Sequence, residues 1–149
     1  DIIGTNVAEQ VVARFFDAVI QENVEAIAQM TDAGARAFDI RDRSEPKPDD
    51  LVLTWRRRFN QIAYQQLATR TVYRAGELRT HRLPHDDRLP PFIRALSPND
   101  EAPVDLVVVA DVVDAAIDGN EALGPSIYFW LRRRGEGYVI AQTAEPVPY

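Results

Sequence analysis

Asp39 is the residue whose type and surroundings best suit chemistry, because it stands in the sequence between the apolar residues Phe38 and Ile40. Residues 35–40 predict a short strand, which puts Asp39 at a strand end. A carboxylate that loses hydration in apolar surroundings is destabilised in its charged form, so it takes up a proton closer to neutral pH. Such a group can act as a general base. The alternative is a carboxylate that is solvated or paired with Arg41.

A proton-transfer site also needs a donor for the negative charge that develops on the substrate oxygen. Tyrosine hydroxyls are the candidates in this chain, and Tyr128, Tyr73 or Tyr64 could serve if one of them points inward. The sequence alone leaves these alternatives open.

Aromatic residues could line a cavity beside the carboxylate. The candidates for contact with a ligand are Phe15, Phe16, Trp55, Phe59 and Trp130. Aromatic residues at helical spacing are more often plain core. In a pocket domain, however, the core and the pocket share a wall, so both interpretations stay open for different residues. We expect the partner to be a small apolar molecule.

A metal site is not expected at the histidines. His81 and His85 are four residues apart, a spacing that could hold a metal ion on a helix. Pro84 lies between them and breaks any helix. Either histidine could instead serve as an acid or base at a pocket mouth, or be a solvated loop residue. The chain also has no cysteine and no nucleotide-binding glycine motif, so we expect no cofactor.

The composition limits the class of protein. The chain has 149 residues, which fits one domain, and 46% of them are apolar, which is too many for a disordered chain. A net charge of −6 argues against nucleic acid as a partner. No apolar run approaches the roughly 20 residues that a membrane-spanning helix needs. Nothing in the sequence indicates a cellular compartment.

Helices are predicted mainly in the first part of the chain. Asn6 with Glu9 forms a capping box, and apolar residues then recur at helical spacing up to Ile20. Asn23 can cap a second, short helix, which residues 31–34 end with a turn. The loop 41–48 follows the first strand. A third helix begins after Asp49 or Asp50 and carries the run Arg56 to Arg58, which we interpret as solvated charges.

The second half of the chain predicts an antiparallel sheet. Residues 67–83 look extended, and the five prolines of residues 84–103 indicate either a lid or an insertion that covers the sheet. Residues 104–117, 126–134 and 138–143 then predict strands joined by short turns. Helices followed by an antiparallel meander define an α+β fold with the helices on one face of the sheet.

This order of elements resembles the nuclear-transport-factor-2-like (cystatin-like) superfamily. That group includes ketosteroid isomerases, limonene epoxide hydrolases, scytalone dehydratases and SnoaL-like polyketide cyclases. The matching residues are 14–19, 23–27, 30–32, 35–39, 129–131 and 137–140. The resemblance covers nearly the whole chain. It implies a single pocket domain over residues 1–149, in which the N-terminal helices pack on the concave face of a curved, mostly antiparallel sheet.

The resemblance also implies roles for single residues. In the isomerase branch an aspartate at the end of the first strand is the general base, and Asp39 falls at that position. That branch holds the oxyanion with a tyrosine of the first helix, where this chain has Phe15, and with a late-strand aspartate. The late-strand window 127–129 offers Tyr128, so Asp39 and Tyr128 are the candidate catalytic pair.

Three functions remain open on the sequence. The first is an isomerase- or cyclase-type enzyme in which Asp39 moves a proton. The second is a non-catalytic domain that holds a small apolar ligand. The third is a dimerisation module, because valines on both faces of residues 104–113 suggest a covered outer sheet surface. We expect a homodimer through the sheet, although a helix or the proline-rich segment could cover that face instead.

Overall fold

A computed structural model describes residues 2–84, 86–98 and 103–149, with side chains from Asn6 onwards. The helices of these residues are α1 (Ile2–Ile20), α2 (Val24–Gln29), α3 (Leu51–Gln61) and α4 (Pro91–Arg94), with 3₁₀ helices at Tyr64–Thr69 and Ala75–Glu77. The strands are β1 (Thr31–Asp39), β2 (Lys47–Asp50), β3 (Arg79–Arg82), β4 (Leu106–Asp111), β5 (Ala116–Ile117), β6 (Asn120–Glu121), β7 (Ser126–Arg134) and β8 (Gly137–Glu145).

Within the described residues, the main sheet has six strands in the order β2-β1-β8-β7-β4-β3. The predicted α+β class is confirmed, and β4, β7 and β8 pair antiparallel as predicted. The first of these strands was predicted too long, because β4 ends at Asp111 and a separate β5–β6 hairpin precedes β7. The sheet is mixed, because β1 runs parallel to β8 while the other pairs are antiparallel. The parallel pair brings the first strand of the chain beside the last, and it aligns Asp39 with Glu145 at the strand ends.

The two faces of the sheet pack against different elements. The inner face meets α1 and α3, and its core includes Phe15 and Phe129. The outer face meets α4 and the loop before it, through Leu89 and Ile93. β4 contributes to both, since Val108 lies in the inner core and its neighbours in the outer core. Burial on both faces explains why this strand reads as a continuous apolar run.

The proline-rich segment covers part of the outer face. Trp130 donates a hydrogen bond from Nε1 to Ser97 Oγ at 3.0 Å, and Gln142 donates to the carbonyl of Leu96 at 2.8 Å. The segment therefore provides the alternative cover for the valines of β4. The homodimer through the sheet stays a prediction.

Several predicted boundaries were wrong. α1 begins at Ile2, so Asn6 lies inside the helix and does not cap it. β1 begins at Thr31, so the predicted turn at residues 31–34 is part of the strand. Gly34, with a φ of +76°, lies where the pairing register with β8 shifts between Thr31 and Arg36. The predicted loop after β1 contains β2, which pairs with the edge of β1. By contrast, Asp50 caps α3 as expected and accepts a hydrogen bond from the backbone of Leu53 at 2.9 Å.

A β-bulge decides which side chains of β8 face inward. In the pairing with β7, Trp130 lies opposite Gln142 and the next residue lies opposite Ile140, so Ala141 is the extra residue. An extra residue reverses the alternation of side chains along the strand. Ile140 and Glu145 both face the inner core as a result, whereas strict alternation would have put them on opposite faces.

None of the helices in the described part of the chain has both the length and the apolar composition needed to cross a bilayer.

Candidate functional site

A cleft of about 470 Å³ opens between α3 and the carboxyl ends of β1 and β8. Its walls include Asp39 and Glu145 from the strand ends, Trp55 and Arg58 from α3, and Tyr149 from the segment after β8. Acidic, basic, aromatic and hydroxyl groups meet here from elements far apart in the sequence. This convergence makes the cleft the candidate binding site.

An ion pair between Arg58 and Glu145 forms the floor of the cleft. Nη1 of Arg58 donates to Oε1 of Glu145 at 2.7 Å and Nη2 donates to Oε2 at 3.1 Å, a two-point contact of the planar guanidinium with the carboxylate. Both side chains are only 6% exposed. The guanidinium carbon lies 4.1 Å from the centre of the Trp55 ring, which adds a cation–π contact.

Hydroxyl and carbonyl groups complete the shell around Arg58. Its Nε donates to Tyr64 Oη at 2.9 Å and to Tyr149 Oη at 2.6 Å. Its Nη2 also donates to the carbonyl of Ala122 at 2.9 Å, and the Tyr64 hydroxyl donates to that same carbonyl at 2.8 Å. Each nitrogen of the guanidinium therefore has an acceptor, which a buried charge requires.

The protonation states follow from these contacts. Burial by itself lowers the pKa of Arg58, but the charge and hydrogen bonds of Glu145 outweigh burial and raise that pKa above its ordinary value. Burial raises the pKa of Tyr64 well above its ordinary value, and the nearby Arg58 charge only partly opposes it. Arg58 thus stays a cation and Tyr64 stays a neutral hydroxyl over the physiological pH range.

Gly124 allows the chain to approach the acid closely. Its backbone nitrogen donates to Oε2 of Glu145 at 2.7 Å. A Cβ at this position would overlap the carbonyl oxygen of Pro146 and come within 3.0 Å of the Glu145 side chain. Glycine is required here because backbone lies against backbone.

Asp39 stands at the rim of the same cleft. Its Oδ2 accepts a hydrogen bond from Nε of Arg41 at 2.8 Å, and Oδ1 accepts from the backbone nitrogens of Arg41 at 3.0 Å and Val147 at 3.3 Å. The carboxylate is 20% exposed and Arg41 is 54% exposed. The pairing with Arg41, one of the alternatives drawn from the sequence, is the arrangement present. Much of the hydrogen-bonding capacity of this carboxylate is occupied.

The candidate aromatic residues separate into three groups. Phe15 and Phe16 are 1% exposed and pack edge-on against Phe129, with ring centres 5.1 and 6.0 Å away, in the middle of the inner core. Trp55 lines the cleft, and Phe59 packs beside it with a ring separation of 5.8 Å. Trp130 lies in the outer core. The structure therefore brings one of these candidates, Trp55, to the cleft wall.

Tyr128 does not meet Asp39. Tyr128 pairs with Ala144 and packs on the outer core, while the next residue of β8, Glu145, pairs with Asp39. Consecutive residues of a strand point to opposite faces, so Tyr128 and Asp39 lie on opposite sides of the sheet. Tyr64, one of the alternative tyrosines, is completely buried and contacts Arg58 of the cleft floor through its hydroxyl.

His81 belongs to a separate polar cluster. Its Nδ1 lies 3.0 Å from Oδ2 of Asp86, and Arg88 donates to that same oxygen at 2.8 Å. The side-chain hydrogen bond from Arg88 is the main reason that the pKa of Asp86 is lowered. His85 lies outside the described residues. Within those residues, no group of three or more histidine and acidic side chains could hold a metal ion.

Sequence reasoning missed the centre of the site. Arg58 was interpreted as a solvated charge, yet it is buried at 5% exposure. The spacing Leu51, Trp55, Arg58 is the signal that could have found it, because these positions share one helix face. Glu145 gave no such signal, since the bulge that turns it inward has no recognisable pattern in the sequence.

Comparisons of the chain with protein-family models, with curated proteins and with solved structures gave no match. The resemblance to the nuclear-transport-factor-2-like superfamily therefore stays a prediction.

Proposed function

We propose that this protein is a pocket domain that binds a small molecule in the cleft between α3 and the ends of β1 and β8. The observation that carries the proposal is the convergence of Trp55, Arg58 and Glu145 in one cleft, which has a volume of about 470 Å³. That volume suits a small organic ligand. The resemblance to a superfamily of pocket domains supports the same proposal.

The chemistry of the lining suggests the character of the ligand. Trp55 contributes aromatic carbon to the cleft wall, although only 2% of the residue is exposed, and this accords with the apolar partner expected from the sequence. Three of the four cationic residues in the lining pair with its three acids, and Lys47 is the fourth; the pairs are Arg41–Asp39, Arg57–Asp49 and Arg58–Glu145. Paired charges give little attraction to a strongly charged ligand, so an uncharged aromatic or apolar molecule with a polar group fits best.

A fragment screen followed by NMR tests this proposal. We expect aromatic fragments at millimolar concentration to shift backbone amides near Asp39, Trp55 and Thr143. A second cleft of about 430 Å³ beside Met30 and Val139 provides an internal control of similar size. Fragments that shift only amides around that second cleft, or that shift none, would reject the proposal.

A matched pair of variants sharpens the test. Thr54 lines the cleft, and the adjacent Leu53 is 48% exposed and does not belong to its lining. Thr54→Trp should fill the cleft and abolish fragment binding, whereas Leu53→Trp should leave it intact. Equal binding by the two variants would mean that the fragments bind elsewhere.

An enzyme that uses Asp39 for proton transfer is the second candidate. The specific support is that Asp39 lines the same cleft and is 20% exposed, so a bound molecule can reach it. The test is the rate of isomerisation of hydrophobic carbonyl compounds by the original protein and by Asp39→Asn. A role for Asp39 predicts a loss of about 10²-fold or more. An unchanged rate removes Asp39 from the mechanism.

A further inference from the structure

Tyr149 enters the Arg58 network from the side of the solvent. The residue is 41% exposed, yet its hydroxyl lies 2.6 Å from Arg58 Nε and 2.8 Å from Tyr64 Oη. Its backbone carbonyl accepts a hydrogen bond from Nη1 of Arg41 at 2.7 Å. Tyr149 is therefore held by polar contacts at its two ends, while much of its ring faces water.

The hydrogen-bond directions around the Tyr149 hydroxyl are assigned from what its neighbours can donate and accept. Arg58 Nε can only donate, so Tyr149 Oη accepts from it. The single hydrogen of the Tyr64 hydroxyl is given to the carbonyl of Ala122 at 2.8 Å. With the Tyr64 hydrogen assigned to the carbonyl, Tyr149 is the donor in its 2.8 Å hydrogen bond with Tyr64 Oη. The position therefore requires a group that accepts one hydrogen bond and donates another, which describes a neutral hydroxyl.

Tyr149 also stands between two open spaces. It lines the cleft of about 470 Å³ and a neighbouring cleft of about 500 Å³, and Gln61 is the other residue that the two linings share. Removal of the Tyr149 ring would join the two clefts into one groove over the Arg58–Tyr64 centre. A ligand larger than the tyrosine ring could then lie along this groove.

We propose that Arg58 and Tyr64 form a recognition site for the hydroxyl group of a small phenol, and that Tyr149 occupies this site as a stand-in from the chain itself. This inference rests on the proposed function and names its ligand class. The ring of the phenol would take the place of the Tyr149 ring, whose centre lies 5.3 Å from the guanidinium carbon of Arg58. Binding requires Tyr149 to swing aside.

Other oxygen-containing groups fit the site less well. A carboxylate or phenolate has no hydrogen for Tyr64 Oη, and it adds a negative charge beside an arginine that Glu145 already neutralises. An aryl methyl ether can accept from Arg58 but cannot donate. The site thus selects a neutral phenol over its anion, its ether and the bare hydrocarbon ring.

The direct experiment fills the space left by Tyr149→Ala with the missing side chain. We would titrate the variant with p-cresol, which is the side chain of tyrosine, and with 4-methylanisole and toluene, and follow binding by NMR. We expect p-cresol to bind about tenfold more tightly than toluene, which lacks the hydrogen bond to the charged Arg58, and several-fold more tightly than 4-methylanisole, which lacks only the hydrogen bond to Tyr64. The original protein should bind p-cresol about tenfold more weakly than the variant, because Tyr149 blocks the site for most of the time.

Two further variants show that the selectivity comes from this centre. Tyr64→Phe, combined with Tyr149→Ala, removes the acceptor for the phenol hydrogen and should lower the preference for p-cresol over 4-methylanisole several-fold. Tyr138→Ala is the matched control, because it opens a tyrosine-sized space at a distant cleft beside Arg133, whose guanidinium carbon lies 5.6 Å from the Tyr138 ring. It should show no preference for the hydroxyl.

Equal affinities for p-cresol, 4-methylanisole and toluene in Tyr149→Ala would overturn the inference. If aromatic fragments still bound the cleft in the NMR screen, the proposed function would stand and only the phenol site would be lost. If neither the fragments nor the three probes bound, both proposals would be wrong. Tighter binding of p-cresol to the original protein than to Tyr149→Ala would show that Tyr149 is not a competitor.

Discussion

Asp39 and Glu145 lie side by side at the ends of two neighbouring parallel strands, and they differ in burial and in the origin of their arginine partners. Each carboxylate pairs with an arginine. Glu145 and its partner Arg58 are each 6% exposed, whereas Asp39 is 20% exposed and its partner Arg41 is 54% exposed. The same kind of ion pair therefore occurs twice at one end of the sheet, once buried and once exposed to solvent.

The origin of each arginine explains the difference. Arg41 follows Asp39 by two residues, so that pair forms within one loop and connects nothing distant. Arg58 comes from α3 and reaches Glu145 across 87 residues of sequence, which ties the helix to the last strand. A local, solvated pair contributes little to the free energy of unfolding, and its carboxylate is accessible to a ligand. The long-range, buried pair is a structural tie whose loss exposes an unbalanced charge.

The largest expected effect comes from Glu145→Gln. The substitution leaves the Arg58 cation buried without its counter-charge, so we expect the free energy of unfolding to fall by about 3–5 kcal/mol. Urea denaturation followed by circular dichroism measures it. As a control, replacing both partners in Arg58→Met with Glu145→Gln removes the unpaired charge and should restore part of the loss. A loss below about 1 kcal/mol for Glu145→Gln would mean that the pair is as weak as a surface pair.

Gly124→Ala tests the same tie from the backbone. The new Cβ would overlap the carbonyl of Pro146, which must move together with Glu145. Overpacking of this kind destabilises by about 1–3 kcal/mol. Gly76→Ala is the matched control, since a Cβ there meets open space and Gly76 has no positive φ. The two variants should therefore differ clearly in their denaturation midpoints, and similar midpoints would contradict the close approach.

Asp86 extends the comparison to a third acid and adds a dependence on pH. The side-chain hydrogen bond from Arg88, which is 75% exposed, is the main cause that lowers the pKa of Asp86 below its ordinary value of 3.8. A lowered pKa in the folded state stabilises the fold above pH 3.8, and this contribution is lost as the pH falls toward the folded-state pKa. At pH 7 we expect Asp86→Asn to cost about 1 kcal/mol.

The pH series supplies the check on this prediction. The difference in unfolding free energy between Asp86→Asn and the original protein should shrink below pH 3.8. Below that pH, Asp86 of the original protein takes up a proton when the chain unfolds, and this proton uptake favours the unfolded state. The neighbouring Asp87 has a fully exposed side chain, so Asp87→Asn should show no comparable trend. A constant difference for Asp86→Asn from pH 7 to pH 2 would contradict the assignment.

Patterns within single elements predicted much of this fold. Asp49 or Asp50 was expected as a helix cap and Asp50 caps α3, and the alternating run 126–134 is β7. These signals are local, since a cap and an amphipathic strand depend on neighbours in the chain. The parallel pairing of β1 with β8 was not predicted, because it joins segments more than 100 residues apart and no local pattern records it.

Of the residues that line the cleft, Asp39 and Trp55 were among the candidates drawn from the sequence, but the ion pair at its floor was not. Asp39 is the last residue of a recognisable strand. Arg58 was hidden in a run of three arginines, although its spacing from Trp55 placed it on the buried helix face. The positions of the Glu145 and Tyr149 side chains depend on the bulge in β8 and on the path of residues 146–149. Tertiary contacts decide both. Sequence reasoning therefore finds a residue at an element's end more readily than the partners that other elements bring to it.

Asp39→Asn should have the smallest effect on the free energy of unfolding among these variants. The amide oxygen of asparagine can still accept from the backbone nitrogens of Arg41 and Val147, so only the exposed ion pair with the Arg41 side chain is lost. We expect a decrease of about 0.2–1 kcal/mol in the free energy of unfolding. The loss should shrink in high salt, because counter-ions screen a solvated pair, whereas the loss in Glu145→Gln should hardly change. A salt-independent loss of several kcal/mol would erase the distinction between the two acids. A small, screened loss would mean that the sheet does not depend on Asp39, which is what the proposed role of this carboxylate toward a ligand in the cleft requires.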